Sequence, residues 1–201
     1  MQSNNSIQTL LGQTDIYLID QIMKGRYVAD DIILDAGCGS GRNMYWFLKN
    51  GFTITGIDIN EVAIEELKVN YPGLSENSYL VSPLGNTPFA KNHFNHIICS
   101  AVLHFAKSLA QFNLMLTELV RILKPGGTLF IRMTSDIGIE EKVTPITDGV
   151  YTIPDGSTRF LLTRQLLTAV MKQNKLSFME PLKTVNVDDV RCMSILLLQK
   201  K

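Results

Sequence analysis

This 201-residue chain lacks an excess of either charge, paired cysteines and long apolar runs. Lys plus Arg number 19 and Asp plus Glu number 19, so no net field draws the protein to nucleic acid or to an anionic lipid surface. No Lys/Arg-rich run or added basic module is present, which argues against a nucleic-acid partner. Cys38, Cys99 and Cys192 are odd in number and scattered without C-x-x-C spacing, which excludes a disulfide framework. They read as buried thiols of a reducing cytoplasm. His93, His96 and His104 have no ligand spacing, so no metal site is expected. No apolar run approaches the roughly 18 residues of a membrane span. The start, Met1-Gln2-Ser3-Asn4-Asn5-Ser6, has neither the basic residues nor the apolar stretch of a secretory signal. The absences predict a soluble cytoplasmic protein with no membrane or nucleic-acid partner, of a size that fits one core.

What the chain does have is Ile32-Ile33-Leu34-Asp35-Ala36-Gly37-Cys38-Gly39-Ser40-Gly41-Arg42-Asn43. A short apolar run ends in an acid, and glycines follow at alternate positions before a helix-forming stretch. This is a buried strand feeding a tight turn on which a ligand can lie against bare backbone. Amides at the start of the next helix face the same point. Thr53 to Ile59 reads as the next strand, with Asp58 at its carboxyl end, 17 positions beyond Gly41. A carboxylate at the tip of the second strand of a βαβ unit is placed to bind the two hydroxyls of an adenosine ribose. The spacing G-x-G-x-G is not the G-x-G-x-x-G of a pyrophosphate site, and G-x-x-x-x-G-K-[ST] is absent, which excludes a P-loop nucleotidase.

Strands and helices alternate along the chain, the pattern of a doubly wound parallel sheet. A helix over Asp15 to Gly25 precedes the first strand. Asn60, Ser108 and Thr163 stand as caps before later amphipathic helices, and Asn50-Gly51 closes the helix after the glycine turn. Further strands are expected over Ser78 to Ser82, Phe94 to Ser100 and Thr128 to Thr134. The last two, Phe178 to Val187 and Cys192 to Gln199, are too close together for a parallel crossover and must form an antiparallel hairpin.

Strand, acid, G-x-G-x-G, helix, strand and acid in this register resemble motifs I and II of the class I S-adenosylmethionine-dependent methyltransferases. The terminal antiparallel hairpin matches that family as well, and the resemblance covers about residues 30 to 201. It implies an α/β fold with a doubly wound, mostly parallel seven-stranded sheet and an antiparallel last strand. Residues 1–29 would form an N-terminal helical extension packing on a methyltransferase domain over 30–201, with a loop or hairpin lid within about 136–162. The cofactor implied is S-adenosylmethionine. The chemistry implied is methyl transfer to an unidentified small-molecule acceptor, in a monomer or a homodimer. The alternatives are a non-catalytic S-adenosylmethionine-binding protein and a nicotinamide-dependent oxidoreductase. The glycine spacing and the hairpin ending disfavour the second of these.

The resemblance carries roles onto individual residues. Asp35, Gly37, Cys38, Gly39, Gly41 and Asn43 would surround the methionine end of the donor, and Asp58 and Ile59 its ribose. Thr87-Pro88-Phe89 resembles the family's Leu-Pro-Phe after the third strand. The acid often found near adenine is replaced here by Pro83, which leaves the Leu84 amide to serve the ring. Ser100 and Ala101, at the end of the fourth strand, would line the cofactor at the switch point of the sheet. Gly41-Arg42-Asn43 and Ser100-Ala101-Val102-Leu103 are partly similar to the tellurite-resistance and thiopurine branch of the family.

The acceptor side is less defined. His104 faces either the substrate pocket or a surface helix. Arg132 binds an anionic substrate group or pairs with Asp136 or with Glu140 or Glu141. Tyr151 and Arg159 belong to a substrate lid or to a hairpin covering the core. No Asn/Asp-Pro-Pro-Tyr/Phe motif of base-modifying enzymes occurs. Methyl transfer from a sulfonium needs orientation above all, so no strict catalytic residue is expected.

Overall fold

The computed structural model describes residues 6–201; Met1 to Asn5, part of the stretch argued to lack a secretory signal, lie outside the described residues. Two short helices, α1 (Ile7–Leu11) and α2 (Ile16–Met23), open the fold. Asp15 caps α2 by accepting the Tyr17 amide at 3.0 Å. The glycine turn connects β1 (Ile32–Ala36) to α3 (Tyr45–Lys49), which leads to β2 (Thr53–Asp58). Helix α4 (Glu61–Asn70) starts at Asn60, whose side chain accepts the Val62 amide, and β3 (Tyr79–Val81) follows. Next come β4 (Phe94–Ser100), α5 (Leu109–Ile122) capped by Ser108, and β5 (Leu123–Ser135).

The final third holds β6 (Thr144–Thr147), β7 (Val150–Thr152), β8 (Thr158–Phe160), α6 (Arg164–Gln173), β9 (Leu176–Phe178), β10 (Lys183–Val187) and β11 (Arg191–Lys200). The main sheet runs β3-β2-β1-β4-β5-β11-β10, with β9 also on β11. Strands β1 to β5 pair in parallel, and β11 lies antiparallel to β5, β9 and β10. This is the doubly wound, mostly parallel sheet expected, ending in an antiparallel strand.

Three details differ from the sequence reading. The sheet has eight strands rather than seven, because the stretch expected as one strand from Phe178 is split into β9 and β10. Pro181 sits in the break, where it has no amide to give to the ladder. The fifth strand begins at Leu123, which pairs with Phe94, and not at Thr128. Leu123 therefore continues the core as a strand residue after α5 stops at Ile122. The segment from 136 to 162 is more than a hairpin: β6, β7 and β8 form a separate antiparallel sheet. That small sheet packs by stacking Phe160 on Phe112 of α5, with ring centroids 4.7 Å apart.

The core lies on both faces of the main sheet. On one side Phe94, Phe112, Leu116, Leu119 and Phe160 are buried together. On the other, Ile33, Phe47, Ile54, Ile64 and Leu67 pack with Leu18 of α2 and with Tyr27. The N-terminal helix is thus part of the core layer, which fixes the element that later closes one end of the site.

Candidate active site

A cavity of about 820 Å³ opens at the carboxyl ends of β1, β2 and β4, where the strand order reverses. Ten of the residues expected around the donor line it: Gly37, Cys38, Gly39, Asn43, Asp58, Ile59, Pro83, Leu84, Ser100 and Ala101. Asp35 and Gly41 lie beneath or beside the wall, not on it.

The glycine turn is docked onto the end of β2. The Ile57 carbonyl accepts the Gly37 amide at 2.7 Å and the Cys38 amide at 2.9 Å. Asp58 accepts the Gly39 amide on Oδ2 and the Asn60 amide on Oδ1, each at 2.9 Å. Each oxygen keeps a free acceptor site toward the cavity, since a carboxylate offers about four lone-pair positions. Gly37 has φ +80°, and a Cβ there would stand 2.3 Å from Val102 Cγ2. Gly39 has φ +54° and nothing within 4 Å of a Cβ, so a side chain would fill space left for a ligand. Gly41 is a packing glycine: a Cβ would meet Tyr71 at 2.7 Å, and the Tyr71 hydroxyl donates to the Gly41 carbonyl.

Asp35 is fully buried, and neither carboxylate oxygen has a hydrogen-bond partner among the described residues. Burial pushes its carboxyl up to about 7, and Asp58 adds to the rise while Arg42 opposes it. An orphaned acid under a loop of bare amides is a place for a cationic group of a ligand to be compensated.

The loop carrying Pro83 and Leu84 is held by a contact the sequence reading missed. Glu118 Oε1 accepts both the Thr87 amide at 2.9 Å and the Thr87 hydroxyl at 2.6 Å. Arg121 donates to both Glu118 oxygens and to the Phe89 carbonyl. These Arg121 hydrogen bonds hold the Glu118 carboxyl down at about 2, against the opposing effect of burial. The only sequence signal was a Glu and an Arg three positions apart on a helix face.

At the methionine end, Arg132 requires a correction. It pairs with Asp15 at 3.3 Å, and its guanidinium stacks over Tyr17 at 5.6 Å; Asp136, Glu140 and Glu141 are not its partners. The reason is that α2 starts across the tips of β4 and β5. Asp15 also accepts from Ser100 at 3.0 Å, and its own amide donates to Asn43 at 3.0 Å. Ala101 adopts φ +63°, with its amide bonded to the Arg132 carbonyl at 2.7 Å.

None of the five acceptor-side candidates lines the cavity. His104 is buried, and its Nδ1 accepts the Thr134 amide at 3.3 Å. Burial, helped by Arg159, Arg132 and Arg191, drives its pKa down to about 4, so the ring is neutral. Asp136 is half-buried with Oδ1 unpartnered among the described residues, and burial raises its pKa. Tyr151 and Arg159 face each other across β7 and β8. Arg159 reaches the site indirectly, over the ring of Phe105 at 5.2 Å, and Phe105 does line the cavity. The remaining wall, also missed, includes Arg42, Val102, Lys107, Gln111, Leu114 and Met115. Tyr45 and Lys49 stand at the Tyr-x-x-x-Lys spacing of some oxidoreductases, but neither lines the cavity, and the Tyr45 hydroxyl donates to the Thr9 carbonyl.

A doubly wound sheet with this turn, this strand-tip acid and this antiparallel ending defines a Rossmann-like domain of the methyltransferase type. A family model described as a methyltransferase domain matches residues 34–131. The chain is 31% identical over 113 residues to the methyltransferase YodH of Bacillus subtilis, a match covering 55% of this chain and 43% of YodH. It is 30% identical over 120 residues to the tRNA (carboxymethyluridine(34)-5-O)-methyltransferase of Arabidopsis thaliana, covering 58% of this chain and 28% of that protein. The matches thus span less than half the length of these curated relatives. Among solved structures, a SAM-dependent methyltransferase of Methanosarcina mazei superposes with a TM-score of 0.73 at 21% identity, over 89% of this chain and 96% of that one.

Residues 34–131 match the methyltransferase-domain family, and the fold is that of S-adenosylmethionine-dependent methyltransferases. The cofactor this match and fold imply is S-adenosylmethionine. The residues fit that group: an open backbone cradle at Gly39, an orphaned acid at Asp35 and a strand-tip carboxylate with spare acceptor sites at Asp58.

Proposed function

We propose that this protein transfers a methyl group from S-adenosylmethionine to a small-molecule acceptor held in the same cavity. The observation that carries the reading is Asp58: it is locked by the Gly39 and Asn60 amides and open on the side a ribose would occupy. Asp58 would take the two ribose hydroxyls as charge-assisted hydrogen bonds. Asp35 would balance the ammonium of the methionine part through the turn above it, and Pro83 and Leu84 would flank the adenine. When bound, the donor supplies a methyl carbon on a sulfonium sulfur; an acceptor lone pair takes the methyl while the carbon–sulfur electron pair stays on the leaving thioether.

The chain's own contribution is orientation and exclusion of water. His104 accepts the Thr134 amide and does not line the cavity, so it contributes packing. An acceptor proton, where there is one, leaves to solvent. The concave, partly apolar wall supports a small molecule, although one relative is named for a tRNA.

Calorimetry with S-adenosylmethionine and S-adenosylhomocysteine tests the reading, and micromolar binding of both is expected. Transfer of labelled methyl to a panel of thiols, amines, carboxylates and a tRNA pool then separates an enzyme from a binding protein. Failure of either compound to bind would overturn the proposal.

A further inference from the structure

We infer that the acceptor is an amphipathic anion, with its apolar body on Phe105 and Val102 and its negative group held by Lys107. The inference rests on the methyl-transfer reading and adds the substrate class.

Three charged side chains line the cavity: Arg42, Asp58 and Lys107. Asp58 stands at the turn end, bonded to two amides. Among the described residues no carboxylate lines the opposite end; Asp148 stands outside the lining, accepting the Leu109 amide at 3.1 Å. Lys107 is exposed at that end and has no ion-pair partner among the described residues. Its position is set by its amide, which donates to Gln111 Oε1 at 2.7 Å at the entry to α5. A second cation backs it: the Arg159 guanidinium lies over the Phe105 ring and makes no ion pair among the described residues, donating only to the Thr158 carbonyl. Part of the cavity wall is apolar and uncovered, at Phe105 under Arg159 and at Leu114 beside Gly85. Phe105 is 54% exposed and Leu114 58% exposed, and both line the cavity with Val102 and Met115.

An exposed aromatic wall beside two cations without ion-pair partners among the described residues is complementary to a flat or acyl apolar body ending in a carboxylate or phosphate. An amine would meet Lys107 and Arg159 with like charge. A neutral molecule would gain the apolar contact alone.

Calorimetry on the full chain saturated with S-adenosylhomocysteine tests the inference, with phenylacetate, 4-hydroxybenzoate, phenyl phosphate and octanoate as probes. The methyl esters of the carboxylates and shape-matched amines serve as controls. At least one anion is expected to bind, its neutral counterpart about tenfold more weakly, and the amines not at all. In K107A the anion's affinity should fall about tenfold, and K107R should restore most of it, while S-adenosylhomocysteine affinity stays at the wild-type value. Amines or neutral esters binding as well as the anions would overturn the inference. So would unchanged anion affinity in K107A, or binding by none of the anions. Failure of S-adenosylhomocysteine to bind the wild type is read in a separate titration; it would overturn the donor reading and this inference with it.

Discussion

The Ser100 hydroxyl at the tip of β4 donates to the Asp15 carboxylate across 3.0 Å, although 85 positions separate the two residues. Through Asp15 the first turn of α2 is tied to Ser100, Asn43 and Arg132 at once, so an N-terminal helix braces two residues of the cavity wall. Lys24 and Arg26, at and just beyond the other end of α2, pair with Glu180 at 2.9 Å each. The helix is fastened at both ends.

Replacing Asp15 by alanine removes a helix cap and the partner of a largely buried guanidinium. A cap is worth about 0.5–2 kcal/mol, and stranding a buried polar partner costs about 1–3 kcal/mol more. D15A should lose about 2–4 kcal/mol in urea unfolding. D15N, which keeps a capping oxygen, should lose less. A D15A midpoint equal to wild type would show that α2 is not anchored through this residue.

Removing the Asp58 carboxylate should abolish two charge-assisted bonds to the donor ribose. At about 1.5–3 kcal/mol each, D58A should weaken S-adenosylmethionine at least about 100-fold by calorimetry. The circular dichroism spectrum should stay that of the wild type, because the turn keeps its two bonds to the Ile57 carbonyl.

The glycines of the turn should respond differently to the same substitution. In G37A the new Cβ meets Val102 at 2.3 Å in a left-handed backbone, so the protein should be strongly destabilised or insoluble. In G39A the Cβ points into open space at φ +54°, which costs about 1 kcal/mol of strain. G39A should fold, and its loss should appear in donor affinity. Thermal melts and calorimetry on the two variants separate these outcomes.

Asp35 should give the apo protein an unusual pH dependence. Its folded pKa, about 7, is raised above the unfolded value of 3.8, so the folded state holds the extra proton between those values. Stability from this group is therefore complete below about pH 4, falls as pH rises through the window, and levels off above 7. The paired carboxylates, Glu118 among them, contribute the opposite slope, so the comparison is with D35N. The wild type should lose stability relative to D35N between pH 4 and 7 in urea melts across the range. Parallel curves would show that Asp35 is ionised in the fold.

Much of the donor side was legible because it is local. The turn at Gly37, Gly39 and Gly41 and the acid at Asp58 sit at fixed offsets on adjacent strands, and one parallel register brings Ala36 beside Ile57. Even there, Asp35 and Gly41 proved to support the wall without lining it. The acceptor side was not legible. His104, Arg132, Asp136, Tyr151 and Arg159 are chemically capable residues near the right strand ends, but none of them lines the cavity. Phe105, Lys107 and Gln111 carried no motif, because an exposed Phe or Lys before a helix is indistinguishable in sequence from ordinary surface.

The sequence alone determined the order of the main-sheet strands and their helices, the antiparallel ending and the glycine turn after β1, since each depends on periodicity, caps and connection length over a few residues. Only the tertiary structure decided what closes the cavity. Asp15 reaches Ser100, Glu118 reaches Thr87, and Arg159 covers Phe105 across separations where no local rule constrains the partner. Those contacts follow from which helix packs over which strand tip, a choice made by burial of the whole core.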